Sequence, residues 1–216
     1  MSFLQCAKGS PDYKSYAFQI SVSKCGESES EGSETLRIAF GDLRFENNNI
    51  SYNKCGYTSS ILSYLDGKSG TCNFSTFREN SQTTGLSLIF YSNSEIQTVS
   101  YCNVIGNKCR TYNDASLFYC WHNTNVDHCV FLNNTAANMF RILREDCTLT
   151  ITDSYVQSKS TASIGSGTVT FKKEKRNSDL NQLSHFYTEN CFIEQNQISF
   201  ILPYLSKFSG KASTNF

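Results

Sequence analysis

FENNNISYNKCGYTSSILSYLDGKSGT (45–71), CNFSTFRENSQTTGLSLIFYSNSEIQT (72–98), VSYCNVIGNKCRTYNDASLFYCWHNTN (99–125) and VDHCVFLNNTAANMFRILRE (126–145) are consecutive rows of one stretch, cut every 27 residues. One polar column stands in register: Asn53, Asn80, Asn107, Asn134. Three apolar columns keep the same step: Phe45, Cys72, Val99, Val126; Ile50, Phe77, Val104, Phe131; and Ile61, Leu88, Ala115, Ile142. A fourth, Leu62, Ile89, Ser116, Leu143, is partly apolar, and Tyr64, Tyr91, Phe118 runs aromatic until Glu145 breaks it. Asparagine is common enough here that its column alone decides little. At 39% hydrophobic residues, a four-member apolar column arises by chance about 2–3% of the time, and three share the asparagine period. A period between 20 and 50 marks a solenoid or a propeller. The reading is an all-β parallel β-helix solenoid of about 27 residues per coil.

Each coil reads as an apolar-alternating strand, an asparagine corner, a short polar loop and a second apolar strand. The corner asks for a residue that tolerates positive φ, which asparagine does better than most. Stacked on itself, its amide also bonds the amides above and below.

Outward from this stretch the pattern loosens. Residues 1–16 are polar and irregular and read as an N-terminal lead-in or cap, because an open solenoid end exposes a strand edge. Phe18, Ile20 and Val22 alternate with Gln19, Ser21 and Ser23, the mark of a half-buried strand. Residues 26–34 are acidic with Ser and Gly and read as an exposed loop. Leu36, Ile38 and Phe40 alternate again, two residues out of step. On the other side, residues 138–146 fall on the strand columns, although Met139, Phe140, Ile142 and Leu143 also carry the spacing of a short helix. Leu149, Ile151 and Tyr155 continue the alternation three residues short of register, and Val169 returns to the Ile142 column. KKEKRNSDLNQ (172–182) reads as an inserted charged loop. Cys191 to Asn196 repeats Cys129 to Asn134 in type, residues 198–208 add an apolar segment, and 209–216 read as a frayed tail. Residues 1–216 are thus expected to form a single domain of roughly seven to eight coils.

Lys plus Arg and Asp plus Glu number 19 each. A neutral chain with no basic face argues against nucleic acid as partner. No apolar run reaches the ~18–20 residues of a membrane-spanning helix. Residues 1–13 have no apolar run after a basic start, so no signal peptide is expected, and an intracellular place is favoured over the cell surface or secretion. Of the 10 cysteines, Cys102 and Cys129 are 27 apart, as are Cys120 and Cys147, which in a stacked coil puts each pair on neighbouring strands about 4.8 Å apart. That spacing suits a disulfide or two buried thiols, and reduced core thiols are favoured. No CxxC occurs and the three histidines are scattered, so no metal site is expected. No Gly-rich phosphate loop or nucleotide fingerprint is present, and no cofactor is expected.

Phe77-Arg78-Glu79-Asn80 and Phe131-Leu132-Asn133-Asn134, with Ile50 to Asn53, Val104 to Asn107 and Ile193 to Asn196 as variants, carry a resemblance. The pattern resembles the right-handed parallel β-helix of the pectate-lyase-like superfamily, and in particular the Phe-x-x-Asn repeats of polymorphic outer membrane proteins and their protist relatives. It covers roughly residues 36–196. Phe45 to Asn48 matches the same string but lies out of register and is set aside. The family's Gly-Gly-Ala-Ile type element is absent here. The resemblance implies a right-handed β-helix used for adhesion or display, usually without catalysis.

Parallel β-helices also carry polysaccharide lyases and hydrolases, which need paired carboxylates about 5–9.5 Å apart. Asp127, Glu145 and Asp146 are the candidates, with Arg141 and Arg144 to stabilise charge and His128 to move a proton. The columns do not assemble them: Asp127 is expected to stack on Ser100 and Ser154, and Glu145 on Phe118. No catalytic residue is therefore assigned, and His122, His128 and His185 read as ordinary surface or half-buried residues. Tyr57, Tyr91, Tyr101, Tyr112, Tyr119 and Trp121 offer a sugar-stacking platform or simply line outer strand faces. Sequons at Asn49, Asn73 and Asn133 matter only on a secretory route. The expected function is a non-catalytic structural or binding β-helix serving a protein partner or larger assembly, or a glycan. The alternative is a carbohydrate-active β-helix enzyme.

Overall fold

Alternation of inward apolar and outward polar residues builds the longest sheet, because successive side chains in a strand point to opposite faces. In the computed structural model, which describes residues 4–7, 12–83, 85–109, 115–162 and 167–185, β1 (Leu4–Ala7) precedes a first turn of β2 (Lys14–Phe18), β3 (Ser21–Ser23) and β4 (Leu36–Ala39). The second turn is β5 (Asp42–Glu46), β6 (Asn49–Ser51), β7 (Lys54–Cys55) and β8 (Ile61–Leu65), and the third is β9 (Gly70–Asn73), β10 (Thr76–Arg78), β11 (Ser81–Gln82) and β12 (Leu86–Ser92). The fourth is β13 (Gln97–Ser100), β14 (Asn103–Ile105) and β15 (Ser116–Cys120), and the fifth is β16 (Thr124–Asp127), β17 (Val130–Leu132) and β18 (Asn138–Ile142). β19 (Thr148–Thr152), β20 (Tyr155–Val156) and β21 (Thr168–Lys172) follow.

Strands from successive turns pair in parallel into three long sheets and one two-stranded sheet, β7-β11. Sheet A is β1-β4-β8-β12-β15-β18, sheet B is β2-β5-β9-β13-β16-β19-β21, and sheet C is β3-β6-β10-β14-β17-β20. The chain is an all-β parallel β-solenoid, with no helix among the described residues. The described residues complete about five turns rather than seven to eight, because residues 26–34 and 173–185 run outside the sheets. The Cys191 to Asn196 corner and the 209–216 tail lie outside the described residues. No helix among them is long and apolar enough to cross a membrane.

Two columns hold as read. Phe45, Cys72, Val99 and Val126 pair in turn, as do Ile50, Phe77, Val104 and Phe131. The third does not: Ile61 pairs with Leu88, but Leu88 pairs with Phe118 and Phe118 with Phe140, so Ala115 and Ile142 leave the column. Extra chain between β14 and β15 moves the rung by three; Phe90, Phe118 and Phe140 are all fully buried, and Phe118 stacks with Phe90 at 4.9 Å. Residues 138–142 are strand, not helix. Leu149 and Ile151 sit on Thr124 and Val126, two residues short of register rather than three. Val169 pairs with Leu149 in sheet B and so does not rejoin Ile142. The N-terminal stretch read as irregular already contains β1 and most of β2.

The asparagine column is a buried ladder, fully shielded at Asn53, Asn80 and Asn107. Asn53 Nδ2–H donates to Asn80 Oδ1 (3.0 Å), Asn80 Nδ2–H to Asn107 Oδ1 (3.1 Å), and Asn107 Nδ2–H to Asn134 Oδ1 (3.1 Å). Each Oδ1 also accepts the backbone N–H of the asparagine one turn earlier, and each Nδ2 reaches a strand carbonyl such as Ile50 O (2.9 Å). The expected positive φ is not on these residues. It falls on the residue before: Tyr52 (58°), Glu79 (50°), Gly106 (63°) and Asn133 (55°). The asparagine is needed for its buried amide, which satisfies backbone groups that the turn leaves unpaired.

A second ladder lies at the junction of sheets B and C, and it absorbs the string set aside as out of register. Asn48 is fully buried. Its Oδ1 accepts from Ile20 N–H (2.7 Å) and its Nδ2–H donates to Ala17 O (3.0 Å). Above it Asn48 N–H donates to Ser75 Oγ (3.1 Å), Cys102 N–H to Cys129 Sγ (3.4 Å), and Cys129 N–H to Ser154 Oγ (2.9 Å). Cys102 and Cys129 therefore occupy positions that Ser75 and Ser154 fill elsewhere. Both thiols are fully buried, and burial pushes them well above the ordinary thiol range, which makes them poor nucleophiles. Cys120 and Cys147 do not stack, since Cys120 pairs with Ile142. Cys25, Cys55, Cys72, Cys102, Cys109, Cys120, Cys129 and Cys147 are free.

Candidate functional site

At the end of each sheet B strand the backbone turns through one left-handed residue. These are Gln19 (φ 55°), Asn47 (55°), Phe74 (50°), Tyr101 (53°), His128 (51°), Asp153 (46°) and Lys173 (48°). Such a conformation costs a residue with a Cβ roughly 1–2 kcal/mol, and the stacking of turns imposes it at every level. In the middle of this row the side chains are rings. Phe74 and Tyr101 stack at 5.2 Å and 16°, and Tyr101 and His128 at 4.8 Å and 22°. They remain 42% and 38% exposed for Phe74 and Tyr101, and the His128 side chain 36%.

The last strand residue before each corner also faces outward. Ser100 Oγ–H donates to Asn73 Oδ1 (2.7 Å). One turn on, Asp127 Oδ2 lies 2.7 Å from His128 Nδ1. Ligand atoms of Asp127, His128 and Asp153 all lie within 4.8 Å of one another. Asp127 pairs with Ser100 as read, but its other neighbour is Thr152, not Ser154, because the next turn is two residues short. That same shortening carries Asp153 to the corner above His128, which the 27-residue period conceals.

The remaining candidates are elsewhere. Arg144 pairs with Asp146 (3.0 Å) at the surface, and each shifts the other toward its charged form. Arg141 lies on the outer face of sheet A over the Tyr119 ring, 5.8 Å from its centroid. Glu145 follows β18 in a turn and does not stack on Phe118, whose partner is Phe140. The structure thus unites Asp127 and His128 but brings neither arginine to them.

The tyrosines divide between faces. Tyr91, Tyr119 and Trp121 belong to an apolar row on the outer face of sheet A, with Leu62, Tyr64 and Ile89. Tyr91 lies 5.2 Å from Trp121 and 6.1 Å from Tyr64. Burial raises the Tyr119 and Tyr91 hydroxyls above the ordinary phenol value. Tyr57 is exposed near Gly85, Tyr101 is on the corner row, and Tyr112 lies outside the described residues. Of the sequons, Asn49 is buried, Asn73 half-buried and Asn133 exposed. A cleft of about 440 Å³ lies between the 26–34 loop and Lys54–Cys55, with Glu27, Glu31 and Glu34 on its wall.

After β21 the chain turns back across the outer face of sheet C. Asn181 N–H donates to Asn103 Oδ1 (3.0 Å), and Asn103 Nδ2–H to Asn181 O (2.9 Å). Asn181 Nδ2–H also reaches His128 O (2.8 Å). Further along, His185 Nε2 meets Thr76 Oγ1 at 2.8 Å. His185 is buried and His122 half-buried. Burial pulls the His185 imidazole below its ordinary value, with a backbone hydrogen bond at Asn47 partly opposing it.

No family model, no curated protein and no solved structure matches the chain.

Proposed function

We propose that this protein is a non-catalytic β-helix of the pectate-lyase-like kind, whose rigid stack presents a corner row of side chains to a protein or glycan partner. One observation carries the reading: Phe74, Tyr101 and His128 stand exposed and stacked on three successive turns, outside the core. Exposed rings held at a fixed spacing bind other apolar or sugar surfaces with little loss of conformational freedom. The ladders beneath support this by fixing the backbone on which the rings stand. Assembly into a larger structure, or adhesion, is the setting such a surface serves.

The experiment is chemical crosslinking of the native protein in its source cell, alongside a broad glycan array. Phe74→Ala/Tyr101→Ala should lose whatever neighbour or glycan the unaltered chain captures. Capture that persists undiminished in the double variant rejects the corner row as the contact. A second reading, a carbohydrate-active enzyme, draws on the closeness of Asp127 and Asp153, since retaining glycosidases place two carboxyls about 5–5.5 Å apart. Under that reading Asp127→Asn abolishes cleavage of a polysaccharide that the unaltered chain cuts, and absence of any cleavage removes it.

A further inference from the structure

We propose that Asp127, His128 and Asp153 form a binding site for one divalent transition-metal ion, whether or not the neighbouring rings engage a partner. Two carboxylates and an imidazole, all with ligand atoms within 4.8 Å, are a mixed oxygen and nitrogen set. Such sets suit ions of the manganese-to-zinc series, imidazole favouring the later members and carboxylate the earlier. Three protein ligands leave further positions open to water or to a donor from a partner.

The ligands are held before the ion arrives. His128 and Asp153 occupy left-handed corners of adjacent turns (φ 51° and 46°), so their backbones are fixed by the pairing of β16 with β19. The His128 ring is clamped against Tyr101 at 4.8 Å. Asp127 Oδ2 already sits 2.7 Å from His128 Nδ1, and the ion takes the place of the proton between them. The imidazole then offers its Nδ1 lone pair and carries its proton on Nε2. Two carboxylates this close repel, and a dication relieves that repulsion.

The test is titration of the full chain with Mn²⁺, the free ion followed by electron paramagnetic resonance. Manganese is chosen because thiolates hold it poorly, which excludes the cysteines. One site is expected. Asp153→Asn and His128→Ala should each weaken it about tenfold or more, both with unchanged far-ultraviolet circular dichroism. Paramagnetic broadening should centre on the His128 ring. No uptake at millimolar Mn²⁺, or uptake unchanged in Asp153→Asn, overturns the proposal. If His128→Ala unfolds, Asp153→Asn and the site of broadening still decide it.

Discussion

Sheets A and C are built from the same turns yet keep time differently. In sheet C, Ile50, Phe77, Val104 and Phe131 follow one another at 27 residues, and only the end strands depart, with 28 from Val22 to Ile50 and 25 from Phe131 to Val156. In sheet A, Arg37 to Leu62 is 25, Leu62 to Ile89 is 27, Ile89 to Tyr119 is 30 and Tyr119 to Arg141 is 22. The asparagine ladder follows sheet C directly, and each amide binds backbone on the turns beside it. Adding one residue there would strand several buried polar groups at once, at roughly 1–3 kcal/mol each. The connections into and out of sheet A contain exposed loops, where added length costs only a slowly growing closure entropy. Register is strict where a buried polar group reads it and loose where only water does.

The sharpest way to break this contrast is to insert three residues on each side. Gly-Ser-Gly between Tyr52 and Asn53 should abolish cooperative unfolding, whereas the same insertion between Ser94 and Glu95, in an exposed connection, should cost about 1 kcal/mol. Equal tolerance at both places would mean that the ladder does not set the register.

Asn80→Ala comes next. It removes the acceptor for Asn53 N–H and Nδ2–H and the donor to Ile50 O and Asn107. The expected loss is about 3–5 kcal/mol by denaturant titration, beyond that of a lone hydrogen bond. A loss near 1 kcal/mol would show that the neighbours repair the gap. Cys129→Ser should be milder, about 1 kcal/mol or less, since Oγ can accept the Cys102 N–H as Ser154 Oγ accepts that of Cys129. A large loss there would assign the thiol to apolar packing instead.

The smallest effect is a pH dependence on the sheet C side. Burial holds His185 below its ordinary value of 6.5, so the unfolded chain takes up more protons as the medium is acidified. The stability it contributes is complete above about 6.5 and is lost as pH falls from there through the lower folded value. His185→Asn should flatten that acid limb, and an unchanged limb would place the titration elsewhere.

Much of this architecture was legible because inward strand positions obey a simple rule. Phe45, Cys72, Val99 and Val126 are all apolar since all face the core. Ala115 was misplaced because an insertion of three leaves an apolar residue where one is expected, and only the pairing of Leu88 with Phe118 reveals the shift. The left-handed positions gave no signal: Tyr52, Glu79, Gly106 and Asn133 share no side-chain chemistry, being selected by the ladder residue that follows. Asp127 and His128 were visible as a polar pair. Asp153 was not, because a shortened turn brings it near and no motif records that. The thiols at 102 and 129 were read as core filler, whereas their bonding shows sulfur in a place that hydroxyl fills on other turns.

The row of Gln19, Asn47, Phe74, Tyr101, His128, Asp153 and Lys173 has a consequence for variation. Since the winding dictates the backbone there and the side chain leaves the body of the protein, almost any letter can be written at each place for a similar small strain. Mutation can thus rewrite what the molecule displays, one character per turn, while the scaffold underneath goes unedited.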